Sequence, residues 1–77
     1  MHFKDGTPAN IGDIVKVKDY GSTLIGVLVR KSAGSSTCNG SVDVIVKIDD
    51  GDGTRVVTHA KYATPQTVTL GECEKIA

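Results

Sequence analysis

Two β-branched runs flank one polar loop near the middle of the chain, and they constrain its fold more than any other feature. Thr23 to Lys31 reads TLIGVLVRK, Ser41 to Ile48 reads SVDVIVKI, and SAGSSTCNG lies between them. In the second run Val42, Val44, Val46 and Ile48 alternate with Asp43, Ile45 and Lys47. A helix repeats its apolar residues every three or four positions. A period of two built from Val and Ile is the pattern of a half-buried strand. The two runs therefore predict one long hairpin at the centre of a small barrel.

The rest of the chain fits that centre. Gly, Ser, Asp and Thr interrupt it at roughly ten-residue intervals, the rhythm of small all-β domains. After a turn-rich opening from Phe3 to Gly12, Asp13 to Lys18 is the first clear strand. Val15 and Val17 share one face; Ile14, Lys16 and Lys18 share the other. In Thr23 to Lys31 the expected inward residues are Ile25, Val27 and Val29. Gly26 in that run marks a bulge or bend, as barrel corners require. Ser32 to Gly40 is expected to form a long mobile loop, and Asp49 to Gly53 a tight turn. Thr54 to Ala60 and Thr67 to Leu70 read as strands, and Gly71 to Ile76 as a 3₁₀ turn followed by a last β-bridge. The fold class is all-β: a single domain over residues 1–77, a small barrel of about five strands whose closure would hide its edges.

Length and charge narrow the function. Seventy-seven residues can bury only a modest core. Aromatic residues are limited to Phe3, Tyr20 and Tyr62, so Val, Ile and Leu must build that core. Nine basic residues balance nine acidic ones, which gives little support to non-specific binding of phosphate backbones. No apolar stretch is long enough for a membrane span. The opening MHFKDGTPAN lacks the apolar region of a signal peptide. A cytoplasmic location is expected, and with it free thiols at Cys38 and Cys73. Their spacing does not exclude a disulfide, which geometry must decide.

The pattern IGDIVKV followed by IGVLVRK resembles the opening of SH3-like and KOW-type barrels. There a Gly-Asp turn starts the first strand and a Gly sits where the second one bends. The ending TVTLGECEKI is similar to their closing strand and turn. This resemblance implies an SH3-like barrel. GDIVKVKDYGSTLIGVLV and LGECEKIA also resemble the first hairpin and C-terminus of the type II dihydrofolate reductases, SH3-like barrels that work as tetramers around a pore. Their pore depends on a Val-Gln-Ile-Tyr run. The matching stretch here is Thr67-Val68-Thr69-Leu70. It lacks both the glutamine and the tyrosine, so the reductase activity does not carry over. The phrase FKDGTPANIGD resembles small phage and integron-cassette proteins, which implies a mobile-element origin and no activity.

No catalytic, metal or cofactor constellation emerges. Asp49, Asp50 and Asp52 sit in a turn without the later ligands that a calcium loop supplies. His2, Cys38, His59 and Cys73 are scattered, whereas structural zinc sites pair their ligands closely. His59 on a strand reads as a surface histidine rather than a general base. An enzyme is therefore not expected.

The outward face carries the functional expectation. If Val15, Val17, Ile25, Val27, Val29, Val42, Val44 and Val46 point inward, then Ile14, Leu24, Leu28 and Ile45 form an outward apolar centre. Lys16, Lys18, Arg30 and Lys47 would surround it as a basic rim. Contiguous apolar surface marks an interface. The expected function is a non-enzymatic protein-interaction module that associates with itself or another protein. One alternative is nucleic-acid binding through the same basic face. A second is a ligand-binding or enzymatic pore formed only in an oligomer. The face has no aromatic residue for base stacking or proline-rich peptides, which weighs against those two modes.

Overall fold

A two-residue turn at Tyr20-Gly21 sets the register of the first hairpin, and with it the face that becomes the core. The computed structural model describes residues 1–33, 38–51, 53–59 and 62–77. Tyr20 and Gly21 have φ of 47° and 85°, the paired positive values of a type I′ turn. The turn joins β1 (Ile14–Asp19) to β2 (Ser22–Ala33) and places Asp19 opposite Ser22. Counting back, Val17 faces Leu24 and Val15 faces Gly26. Directly opposed residues share a face of the sheet. Because Val15 and Val17 are inside, Leu24 and Gly26 must be inside too.

Leu24 and Leu28, expected on the outer face, are therefore core residues, 2% and 0% exposed. Ile25, Val27 and Val29, expected inward, lie on the other side of β2; Val29 is 41% exposed.

The remaining elements are β3 (Cys38–Gly51), β4 (Thr54–His59), β5 (Gln66–Thr69), a 3₁₀ turn (Leu70–Glu72) and β6 (Glu74–Lys75). All pairings between the strands are antiparallel. They form a curled sheet, a half-barrel ordered β4-β3-β2-β1-β6, with β5 also on β3. The expected all-β architecture is thus observed, and the described residues contain no α-helix. Among the described residues no helix is long and apolar enough to cross a membrane. The central hairpin is longer than expected: β2 runs on to Ala33 and β3 begins at Cys38. The rest of the expected loop, 34–37, lies outside the described residues, as do Asp52 of the second turn and Ala60 at the expected end of the fourth strand.

Two bulges shape the sheet. Ile25 faces Val46 while Gly26 faces Val44, so Ile45 is the extra residue on β3. Leu28 faces Val42 while Arg30 faces Ser41, so Val29 is the extra residue on β2. Each extra residue bends its strand and shifts the alternation by one. Gly26 is needed at the first bend. A Cβ there would lie 2.2 Å from the Asp43 carbonyl oxygen, a clash with backbone that cannot move aside.

The core packs Val15, Val17, Leu24, Leu28, Val42, Val44, Leu70 and Cys73, closed at one end by Phe3 and Ala9. Backbone bonds tie both termini to it. The Lys4 N–H donates to the Cys73 carbonyl at 2.9 Å, and the Ile76 N–H to the Ile14 carbonyl at 2.7 Å. The Lys31 ammonium donates to the Ala9 carbonyl at 2.8 Å. Burying each large aliphatic side chain contributes on the order of 1.5–3 kcal/mol.

Candidate interaction surface

The bulge at Ile45 divides β3 into two unlike halves. In the first half Gly40, Val42 and Val44 are buried, between β2 on one side and β5 on the other. In the second half no residue is buried, and β4 takes the place of β5. All six residues of β4 are exposed. Among the described residues its only sheet partner is β3, and it ends the sheet.

Register places the outer face residue by residue. One row runs Lys16, Ile25, Val46, His59; the next runs Lys18, Thr23, Ile48, Val57. Ile14 faces Val27, which faces Asp43. Ile25, Val27, Val46 and Ile48 are half-buried by one another, and Ile45 and Val57 remain 46% and 52% exposed. The outer surface of β2, β3 and β4 is thus an aliphatic band. The opposite side of the arm formed by β4 and the second half of β3 is more polar. There Lys47 faces Thr58, Asp49 faces Val56, and the Ser22 hydroxyl donates to the Asp49 carboxylate.

Of the expected interface residues, this face keeps Ile14, Ile45, Lys16 and Lys18. Leu24 and Leu28 leave it for the core, and Ile25, Val27, Ile48 and Val57 take their place. The basic rim does not form as one cluster. Lys47 falls on the opposite side because the Ile45 bulge moves it, and its ammonium lies 3.9 Å from Asp49. Arg30 sits opposite Ser41, beyond the second bulge and at the far end of β2 from the Lys18 pair. Lys16 is matched by Glu74 at 3.3 Å. The overlooked signal for Leu24 was the Tyr20-Gly21 turn. A two-residue loop there forces Leu24 opposite Val17. Gly26 marks the bulge in the sequence, as expected, but does not show that its extra residue is Ile45 on the facing strand.

Other candidate groups are more ordinary. A concavity of about 360 Å³ holds Lys4, Lys16, Lys18 and Arg55 together with Asp50, Glu72 and Glu74. Arg55 bonds Asp50 at 3.0 Å and Glu74 receives both Lys16 and Lys4, so its charge is largely cancelled. Cys38 and Cys73 are free thiols. Cys73 is fully buried, its Sγ 3.4 Å from the Thr69 carbonyl. Burial, with a smaller push from the Glu72 carboxylate, raises its pKa to about 11, so it is a core residue rather than a nucleophile. Asp5 accepts the Thr7 N–H at 2.9 Å, and hydrogen bonding from Thr7 lowers its pKa. Among the described residues, no three His, Cys, Asp or Glu side chains gather in a metal-binding group. Comparison with known proteins finds no matching family model, no matching curated protein and no matching solved structure.

Proposed function

We propose that this chain is a non-enzymatic protein-interaction module that associates with itself through the outer face of its sheet. The supporting observation is the aliphatic band of Ile25, Val27, Ile45, Val46, Ile48 and Val57 across three neighbouring strands. In a chain with so small a core, a contiguous apolar band is costly to leave in water, and covering it is favourable. Two free thiols accord with a reducing, cytoplasmic setting.

Light scattering coupled to size exclusion, over a wide concentration range, tests this reading. A dimer or larger assembly is expected, and Ile45→Asp should return it to monomer. Ile45 is exposed at a bulge, so that substitution spares the core. A wild-type chain that is monomeric throughout would end the self-association reading. An assembly indifferent to Ile45→Asp would remove the outer face from it.

A further inference from the structure

We propose that the inner side of the half-barrel carries a binding groove for a small organic cation, an ammonium group on an apolar body, held between Asp19 and Glu72 with Tyr20 at the rim. The groove lies on the opposite side of the sheet from the aliphatic band, so it is independent of the self-association proposed above.

The groove begins where the first hairpin turn leaves the sheet. Val17 and Asp19 share the inner face of β1, and Leu24 stands opposite Val17. β5 and the 3₁₀ turn form the other wall, and the space between is about 320 Å³. That volume falls at the lower end of the range for small-molecule sites. Every residue that lines it is described. Val17 and Leu24, 4% and 2% exposed, supply an aliphatic floor. Gln66, Thr67 and Thr69 place amide and hydroxyl groups along the β5 side. Apolar surface with a few polar groups around it is the usual make-up of a ligand site.

Charge selects the ligand. Asp13, Asp49, Asp50 and Glu74 each pair with a lysine or an arginine. Among the described residues, neither Asp19 nor Glu72 has such a partner. Glu72 also borders the neighbouring charged concavity, but there Glu74 takes Lys4 and Lys16, and Asp50 takes Arg55. Lys18 borders the groove as well. It alternates with Val17 and Asp19, so its side chain belongs to the outer face beside Thr23. Two unpaired carboxylates beside aliphatic surface complement a cation with an apolar body and disfavour an anion.

Tyr20 points the same way on separate grounds. Its φ of 47° is a left-handed conformation that Gly, Asn and Asp adopt in this turn and bulky side chains avoid. Packing could repay that strain, but the ring is fully exposed. The chain thus keeps an aromatic residue where its backbone disfavours one and its fold does not bury it. Strain of this kind gathers at ligand-binding positions. A ring at the rim of an acidic groove offers its face to a cation.

Amide NMR of the whole chain, titrated with n-butylammonium, is the test. Saturable shifts are expected at Asp19, Tyr20, Thr67, Thr69 and Glu72. Butan-1-ol and butyrate, of similar size, should bind at least about tenfold more weakly, since they lack the charge-assisted contacts. Asp19→Asn combined with Glu72→Gln should abolish saturation and keep a folded spectrum, because both side chains are exposed. Tyr20→Asn should weaken binding about threefold. It should also raise the thermal midpoint by a few degrees, because asparagine accepts the turn conformation. A lowered midpoint would give the ring a structural role and remove it from the site. Nα-acetyl-lysine methylamide separates the sources of the cation: tighter binding than n-butylammonium assigns the groove to a lysine side chain of a partner, weaker binding to a free amine. Shifts that never saturate, equal binding of butan-1-ol, or saturation that survives the double variant would overturn the groove while leaving self-association in place.

Discussion

The two ends of the sheet are finished differently. At one end β6 is two residues long, Glu74 and Lys75, both charged. Glu74 faces Lys16 at 3.3 Å and Lys4 at 3.9 Å, and Lys75 lies 3.8 Å from Asp13. At the other end β4 runs six residues with Val56 and Val57 about half exposed, and Arg55 pairs with Asp50. Short length and charge are the means by which sheets discourage further pairing. The chain applies both to β6, whereas β4 is three times as long and carries one formal charge, Arg55, held by Asp50 of the neighbouring strand. The β4 edge is therefore the less guarded of the two.

The largest expected effect separates the barrel from the arm. Leu28→Ala empties the centre of the core and should cost about 2–5 kcal/mol in chemical denaturation. Val56→Ala on the arm should cost less than about 0.5 kcal/mol in the monomer. Equal costs would mean that β4 is held by packing the burial pattern does not show. Next in size is a transfer of the β6 device to β4. Val57→Lys places an ammonium within the exposed aliphatic band of the outer face. Association through that face should weaken by about tenfold or more, since an unpaired charge in an apolar contact is costly to desolvate. Sedimentation equilibrium measures it, and an unchanged dissociation constant would show that association does not use the outer face at Val57.

Much of the fold could be read directly because Val-rich alternation and Gly-Asp turns are local signals. β1 and the first half of β3 were legible for that reason: Val15, Val17, Val42 and Val44 had polar or charged neighbours to break the tie. β2 offered no such contrast. Both of its alternating sets, Leu24 with Leu28 and Ile25 with Val27 and Val29, are aliphatic, and only pairing to β1 chooses between them. The second half of β3 was misread for a different reason. Val46 and Ile48 continue the period of Val42 and Val44, but the extra residue at Ile45 moves them to the outer face. Gly26 marks the bend on β2, but periodicity along one strand does not show which residue of the facing strand is the extra one. The candidate surface inherited both errors, which is why half of its expected apolar centre lies in the core.

A smaller effect concerns the anchor of the guarded edge. Cys73 immediately precedes β6 and is fully buried. Its pKa in the fold is raised from 9.0 to about 11, chiefly by burial. Below pH 9 the thiol is protonated in both states and its contribution is constant. Between about pH 9 and 11 the unfolded chain loses that proton while the folded chain keeps it, so stability falls as pH rises. The loss should be on the order of 1–3 kcal/mol, flattening above pH 11. Denaturation of the wild type against Cys73→Ala isolates it, because only the wild type has this thiol. Parallel curves from pH 8 to 11 would show that the thiol is not shielded from water.

The smallest effect tests whether the charges at β6 act as a guard or as a brace. Glu74→Gln removes the acceptor for both Lys16 and Lys4 while preserving the side chain's shape. These pairs are about half exposed, so the stability loss should be only about 0.2–1 kcal/mol and should fade at high salt. Mass in solution should not change, because Lys75 and the two-residue length still blunt the edge. If Glu74→Gln instead promotes a larger assembly, the carboxylate alone was holding a second edge closed. The contrast between the two ends would then rest on one residue rather than on strand length.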